Sequence, residues 1–196
     1  MEDALSAVSL GIDALGFVFA QSPRKVEPEV ARKIIQALPK TLLNVGVFVN
    51  ERVKEVQRVA GYCNLNALQF HGEESADYLK KFSYPVFKAI HIKDLESLKE
   101  MEKFDEVSLL LDTYSPMHAG GTGNPFPWEV ALVAKEKRDF ILSGGLGPLN
   151  VKDAVMKVKP WGVDVSTGVE LFPGKKDFLK MREFVKEVEK ADETTG

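Results

Sequence analysis

Seven stretches of the chain are mostly apolar on both faces, rich in β-branched and aromatic residues, and bounded by polar or Gly/Pro positions. They are ALGFVFA (14–20), NVGVFV (44–49), ALQFHG (67–72), VFKAIHI (86–92), SLLLDTY (108–114), DFILSGG (139–145) and GVDVSTG (162–168). Runs of this kind predict strands buried from both sides. Between them the apolar positions recur at helical spacing. Val30, Ile34, Ile35 and Leu38 make a stripe within 28–38, where Pro28 suits a first turn. Val53, Val56, Val59 and Ala60 make another within 51–60. Segments 74–82, 94–104, 127–137 and 148–158 follow, and a closing helix over about 175–190 carries Phe178, Met181, Phe184 and Val188. The opening MEDALSAVSLG is helical too. Glu2 and Asp3 suit the positive end of a helix dipole, Ala4, Leu5 and Val8 share a face, and Gly11 stands where a left-handed C-cap is wanted.

Strict alternation of such strands with amphipathic helices predicts an α/β fold with a parallel sheet covered by helices. An open doubly wound sheet gathers its ligand at one crevice, whereas a closed (β/α)₈ barrel offers every strand end. Here polar residues close nearly every strand: Gln21 to Arg24, Asn50, His71-Gly72, His91, Asp112, Ser143-Gly144-Gly145 and Ser166-Thr167-Gly168. The pattern therefore favours the barrel. The visible count is seven strands and eight helices, with a helix first. Since a barrel of this type leads with a strand, the first strand is expected to be missing, roughly ten residues with its loop. The expected organisation is a single domain over 1–190 with 191–196 as a solvated tail.

Composition narrows the function. With 196 residues, 44% hydrophobic and 28% charged, the chain can bury one sizeable core. A net charge of −3 without a Lys/Arg block argues against nucleic acid or an anionic membrane as the main partner. It leaves room for a local phosphate pocket, which takes few residues. Cys63 is the single cysteine, which excludes an intramolecular disulfide framework and a cysteine-rich zinc site. The opening residues lack a charged-then-apolar leader pattern, and no apolar run approaches spanning length, so a soluble, cytoplasmic protein is expected.

The strongest chemical signal is a pair of glycine-rich turns after the last two strands, SGGLGPLN (143–150) and DVSTGVE (164–170). Glycine lets backbone N–H groups approach an anion, and the last two βα loops of a barrel commonly form a phosphate site. One such turn is explained by turn geometry alone; two in adjacent units favour phosphate. Asp112 ends an otherwise apolar strand, where a carboxyl group is placed for acid or base work and partial burial favours its protonated form. Its bland alternative is a loop anchor or helix cap. The following YSPMHAGGTG is long enough for an active-site loop. Arg24, in QSPRKV on the same rim, could fork a substrate carboxylate or stand exposed. His71 could meet a ligand, though capping the next helix is the simpler use. His91 and His118 show no ligand-like spacing, so no metal is expected. Lys88, inside a strand, could form a Schiff base, but a pairing with a neighbouring carboxylate is the simpler use. Cys63 sits at the opposite rim and reads as a buried structural thiol.

Taken in order, ALGFVF with SPR, VGVFVN, LNALQFHGEE, LLLDT with GGTG, ILSGGL-P-NV, and GVDVSTGVE with PGKKD resemble the phosphoribosylanthranilate isomerase family, from about Glu2 to Phe184. The resemblance implies a barrel of the ribulose-phosphate-binding type. It also implies Amadori isomerisation of N-(5-phosphoribosyl)anthranilate in tryptophan biosynthesis, with no cofactor, a phosphosugar substrate, and a monomer or homodimer. Asp112 would be the general acid and Arg24 would hold the anthranilate carboxylate. Gly144, Gly145, Ser166, Thr167 and Gly168 would bind the phosphate through backbone donors. The family's general base is a cysteine on a leading strand that ends Cys-Gly-Ile. Cys63 does not match that position, while Glu2-Asp3-Ala4 match the end of the stretch that follows that strand. The chain as written is thus expected to be inactive or nearly so. Phe126-Pro127-Trp128 also departs from the family's Phe-Asp-Trp. The alternatives are a phosphosugar-binding remnant, one piece of a split barrel, or another phosphosugar barrel enzyme such as an aldolase using Lys88.

Overall fold

The computed structural model describes residues 1–113 and 128–195. The whole of the segment YSPMHAGGTG expected as an active-site loop, including His118, lies outside the described residues, as do Phe126 and Pro127. Seven strands are hydrogen-bonded in chain order: β1 (Ala14–Val18), β2 (Leu43–Phe48), β3 (Ala67–Phe70), β4 (Val86–Ile92), β5 (Ser108–Thr113), β6 (Ile141–Leu142) and β7 (Gly162–Val163). The registered pairings are parallel. All seven expected strands are present. β6 and β7 are much shorter than the apolar runs that announced them, because the backbone leaves the ladder to enter the glycine turns.

The α-helices are α1 (Glu2–Ser9), α2 (Pro28–Gln36), α3 (Val53–Cys63), α4 (Ala76–Leu79), α5 (Trp128–Lys137), α6 (Val151–Val158) and α7 (Phe178–Thr195). The helix expected at 94–104 is instead a 3₁₀ helix over Leu95–Lys103. Asp94 and Ser97 form a reciprocal capping box at its start. Its ion pairs, Glu96–Lys99 and Glu100–Lys103, are both spaced i,i+3. In a 3₁₀ helix those positions eclipse, so the local charge pairing fits the tighter winding over an unusually long run. The last helix reaches into the segment expected as a solvated tail, 191–196. α7 runs to Thr195, and Ala191 is fully buried, so apolar contact carries the helix beyond the predicted end.

The chain divides into two compact units, Met1–Lys88 and Ala89–Gly196. The first is built on an aromatic stack. Phe48 lies 5.3 Å from Phe19 and 6.3 Å from Phe70, ring centre to ring centre, and Phe70 lies 5.0 Å from Phe82. Gly46 in β2 makes the stack possible: a β-carbon there would sit 2.4 Å from Leu65 Cδ1 and 2.8 Å from the Phe48 ring. α2 buries Ala31 and Ile35, and Leu38 just beyond its end is buried too, while Val30, expected in its apolar stripe, is exposed. α3 buries Val56, Val59, Ala60 and Cys63 and stops at Asn64 in the left-handed conformation.

In the second unit Leu109, Leu110, Leu111, Phe140 and Leu142 form the buried strand core. α6 adds Val151, Ala154 and Val158, and α7 adds Met181 and Phe184. A two-stranded antiparallel hairpin, β8 (Glu170–Phe172) and β9 (Lys175–Lys176), stands between β7 and α7. No helix among the described residues is long and apolar enough to cross a membrane.

Candidate active site

Most of the residues singled out for chemistry stand where a parallel strand ends. In the second unit, Leu111 pairs with Leu142 and Leu142 with Val163. One residue further, the Ser143 N–H donates to Leu111 O at 2.8 Å and the Asp164 N–H to Leu142 O at 2.9 Å. Asp112, Ser143 and Asp164 thus share one row at the C-terminal ends of β5, β6 and β7. Register neighbours in parallel strands point to the same face, so this row forms a polar edge above an apolar core. Asp112 is buried, at 4% exposure, and one of its carboxylate oxygens lies within 4.8 Å of a ring nitrogen of His91 from β4. Ser143 donates its hydroxyl to Asp164 Oδ2 at 2.9 Å.

The two glycine turns meet beyond that row. Gly144 and Gly145 adopt φ of +82° and +66°, a conformation that costs other residues strain. Asn150 ties the turn from inside: its Nδ2 donates to Gly145 O at 2.9 Å, and its Oδ1 accepts from the Gly147 N–H at 2.8 Å. Gly168, in a 3₁₀ turn over Thr167–Val169, packs directly against the other turn. A β-carbon on Gly168 would lie 2.0 Å from Leu146 O and 2.9 Å from the Gly147 Cα. Gly144, Gly145, Ser166, Thr167 and Gly168, expected to act together, are therefore brought into one small region of backbone. Asp112 belongs to the same unit. Arg24 lies in the other unit, in the loop after β1, half-buried, with its N–H donating to Ser22 Oγ at 3.1 Å.

Lys88 takes the simpler of its two readings. Its Nζ lies 3.2 Å from Glu74 Oε2, and both side chains are buried. It also donates to Gly72 O and, at 3.4 Å, to Phe70 O. Glu74 in turn accepts from the Asn50 N–H at 2.7 Å and the Gly72 N–H at 2.9 Å. His71 sits between the two carbonyls that Lys88 holds, with its Nδ1 3.1 Å from Gln69 Nε2. Cys63 is a fully buried thiol in α3 that donates to Pro28 O at 3.4 Å. Burial, with Glu29 nearby, pushes its pKa up, away from nucleophilic use.

Three residues with a part in this geometry drew no attention as single positions: Asp164, Asn150 and Glu170. Asp164 and Glu170 flank the STG motif, but their partners, Ser143 and Lys176, are distant in sequence or across a hairpin. Asn150 sits where a helix cap is expected, and its loop-bridging use shows only in three dimensions.

The family model for N-(5'phosphoribosyl)anthranilate (PRA) isomerase matches residues 1–187. The N-(5'-phosphoribosyl)anthranilate isomerase of Geotalea uraniireducens (strain Rf4) is 48% identical over 187 residues, covering 95% of this chain and 92% of that protein. Among solved structures, the phosphoribosyl anthranilate isomerase of Thermotoga maritima superposes with a TM-score of 0.91 at 41% identity, covering 96% of this chain and 94% of that one. A second isomerase structure, in complex with reduced 1-(o-carboxyphenylamino)-1-deoxyribulose 5-phosphate, gives a TM-score of 0.88 at 40% identity, covering 96% and 93%.

Proposed function

Because the chain belongs to the N-(5'-phosphoribosyl)anthranilate isomerase family, we propose that it is built for the Amadori isomerisation of N-(5'-phosphoribosyl)anthranilate in tryptophan biosynthesis. The observation that carries this reading is the second unit's strand-end row: one buried carboxyl group, Asp112, beside two interlocked glycine turns. Asp112 protonates the ribose ring oxygen as the C1–O bond breaks, and the anthranilate nitrogen supplies the electron pair that makes a protonated Schiff base. A base then removes the C2 proton. The C–H electrons form a C1–C2 double bond, the C=N electrons return to nitrogen, and the enol-amine tautomerises to the 2-ketone. Nothing is gained or lost in the sum, as an isomerisation requires, and no cofactor is called for. Backbone amides of Gly144, Gly145, Ser166, Thr167 and Gly168 hold the phosphate, and Arg24 forks the anthranilate carboxylate.

Cys63 does not supply the base. Its thiol is buried in α3 and committed to Pro28 O. The family's cysteine base therefore has no counterpart among these 196 residues, and turnover of this chain is expected to be lower by on the order of 10²–10⁴-fold than that of a version carrying a leading Cys-Gly-Ile strand. The loss of substrate fluorescence measures both. Equal rates overturn the assignment of the base, and a restored version that binds a product analogue without turnover favours a phosphosugar-binding module instead.

A further inference from the structure

Glu170 is a carboxylate that none of the roles above uses, and its side chain is only 3% exposed. It stands two residues after Gly168, at the end of the Thr167–Val169 turn, and faces Lys176 in the register of the β8–β9 hairpin. Lys176 Nζ lies 3.3 Å from Glu170 Oε1 and donates to the backbone carbonyl of Ser166 at 2.9 Å. The same Oε1 accepts from the Gly174 N–H at 3.2 Å, at a hairpin tip where Gly174 has φ of +90°. The backbone carbonyl of Glu170 accepts from Lys180 Nζ at 2.8 Å, and the Asp177 N–H donates to Val169 O at 2.8 Å. The hairpin and the start of α7 are thus fastened to the back of the turn through its carbonyl side.

A buried carboxylate carries a desolvation cost that an apolar residue avoids, which raises the question of what a charged acceptor does at this position. The peptide bond supplies the answer. The Ser166 carbonyl and the Thr167 N–H belong to one planar trans unit and point in opposite directions. Drawing the carbonyl oxygen onto Lys176 therefore turns the Thr167 N–H away from the hairpin. Glu170 keeps Lys176 in place to do this, and it neutralises the ammonium charge within the fold.

We propose that the Glu170–Lys176 pair is a positioning element for the phosphate turn, setting the Ser166–Thr167 peptide so that its amide faces the anion. This rests on the reading that the turn binds phosphate. The test is the dissociation constant of inorganic phosphate, measured by calorimetry on the full chain and on Lys176→Met, Lys176→Arg and Glu170→Gln. The unfolding midpoint without phosphate is measured alongside. Lys176→Met weakens phosphate by about tenfold, the worth of one well-oriented charge-assisted hydrogen bond. Lys176→Arg, which keeps donors for both partners, restores most of it, and Glu170→Gln falls between. An unchanged constant in Lys176→Met, whatever happens to the midpoint, leaves the pair a purely structural one and overturns the proposal. Should Lys176→Met fail to fold, Glu170→Gln against wild type decides on the same criterion. Absence of saturable phosphate binding in the wild-type chain instead overturns the phosphate reading itself.

Discussion

At the end of β3 the first unit buries an ion pair, Lys88–Glu74, and surrounds it with four main-chain partners contributed by Asn50, Phe70 and Gly72. At the ends of β6 and β7 the second unit places glycine backbone, with Gly168 pressed against Leu146 and Gly147. Both features stand at the same ends of parallel strands, where ligands of α/β folds bind. They spend their polar groups differently. The ammonium and carboxylate of the first are consumed internally, which makes it a brace. The second has glycines that keep side chains out of the way of their own amides, which suits a cradle for an anion. A strand end rich in charge is thus the poorer candidate for a binding site here, and the one poorest in side chains is the better.

The comparison can be broken or sharpened by substitution. Asp112→Asn, in a version carrying the leading cysteine strand, is expected to lower kcat by on the order of 10²–10⁴-fold with little change in product-analogue affinity. Stopped-assay kinetics check it, and a loss confined to KM contradicts the role of acid. Lys88→Met strands a buried carboxylate and is expected to cost about 3–5 kcal/mol in chemical denaturation. Lys88→Met combined with Glu74→Gln costs less than Lys88→Met alone, since no orphan charge remains, and neither variant alters phosphate affinity. Gly168→Ala forces a β-carbon onto a main-chain oxygen and is expected to cost about 1–3 kcal/mol while abolishing phosphate binding. That would set a local stability effect and a binding effect together in the cradle, where the brace shows stability alone.

Much of this was legible in the residues, and the parts that were not share a cause. The seven strands announce themselves by apolar runs, and the turns by SGG and STG, because buried strands and positive-φ turns each demand particular residue types at one place in the chain. The 3₁₀ winding of Leu95–Lys103 was hidden, since the apolar spacing of Leu95, Leu98 and Met101 fits either helix, and so do its i,i+3 charge pairs, which also occur in α3 and α7. Lys88 could be read toward a carboxylate, but Glu74 as its partner could not, because the two stand fourteen positions apart with α4 between them. Asp164 and Glu170 were missed for the same reason: their importance lies in a partner on another element.

The smallest expected effect is a pH dependence in the first unit. Burial first, then the charges of Glu74 and Glu51, push the Tyr78 hydroxyl up to about 12 from an ordinary value near 10, and it donates to Glu51 O at 2.6 Å. Between those values an unfolded tyrosine has lost its proton while the folded one keeps it. Folding stability therefore falls as pH rises through about 10 and levels off beyond about 12. Denaturation midpoints across that range check the slope, and Tyr78→Phe should remove this contribution to it.

The central claim is that the interlocked turns of the second unit hold the phosphate of an anthranilate phosphosugar. The most direct measurement is calorimetric binding of reduced 1-(o-carboxyphenylamino)-1-deoxyribulose 5-phosphate and of its dephosphorylated counterpart to the 196-residue chain, which needs no turnover. The account predicts that the phosphorylated compound binds and that removing the phosphate weakens binding by on the order of a hundredfold, the worth of about two charge-assisted hydrogen bonds. Equal affinity for the two compounds contradicts it.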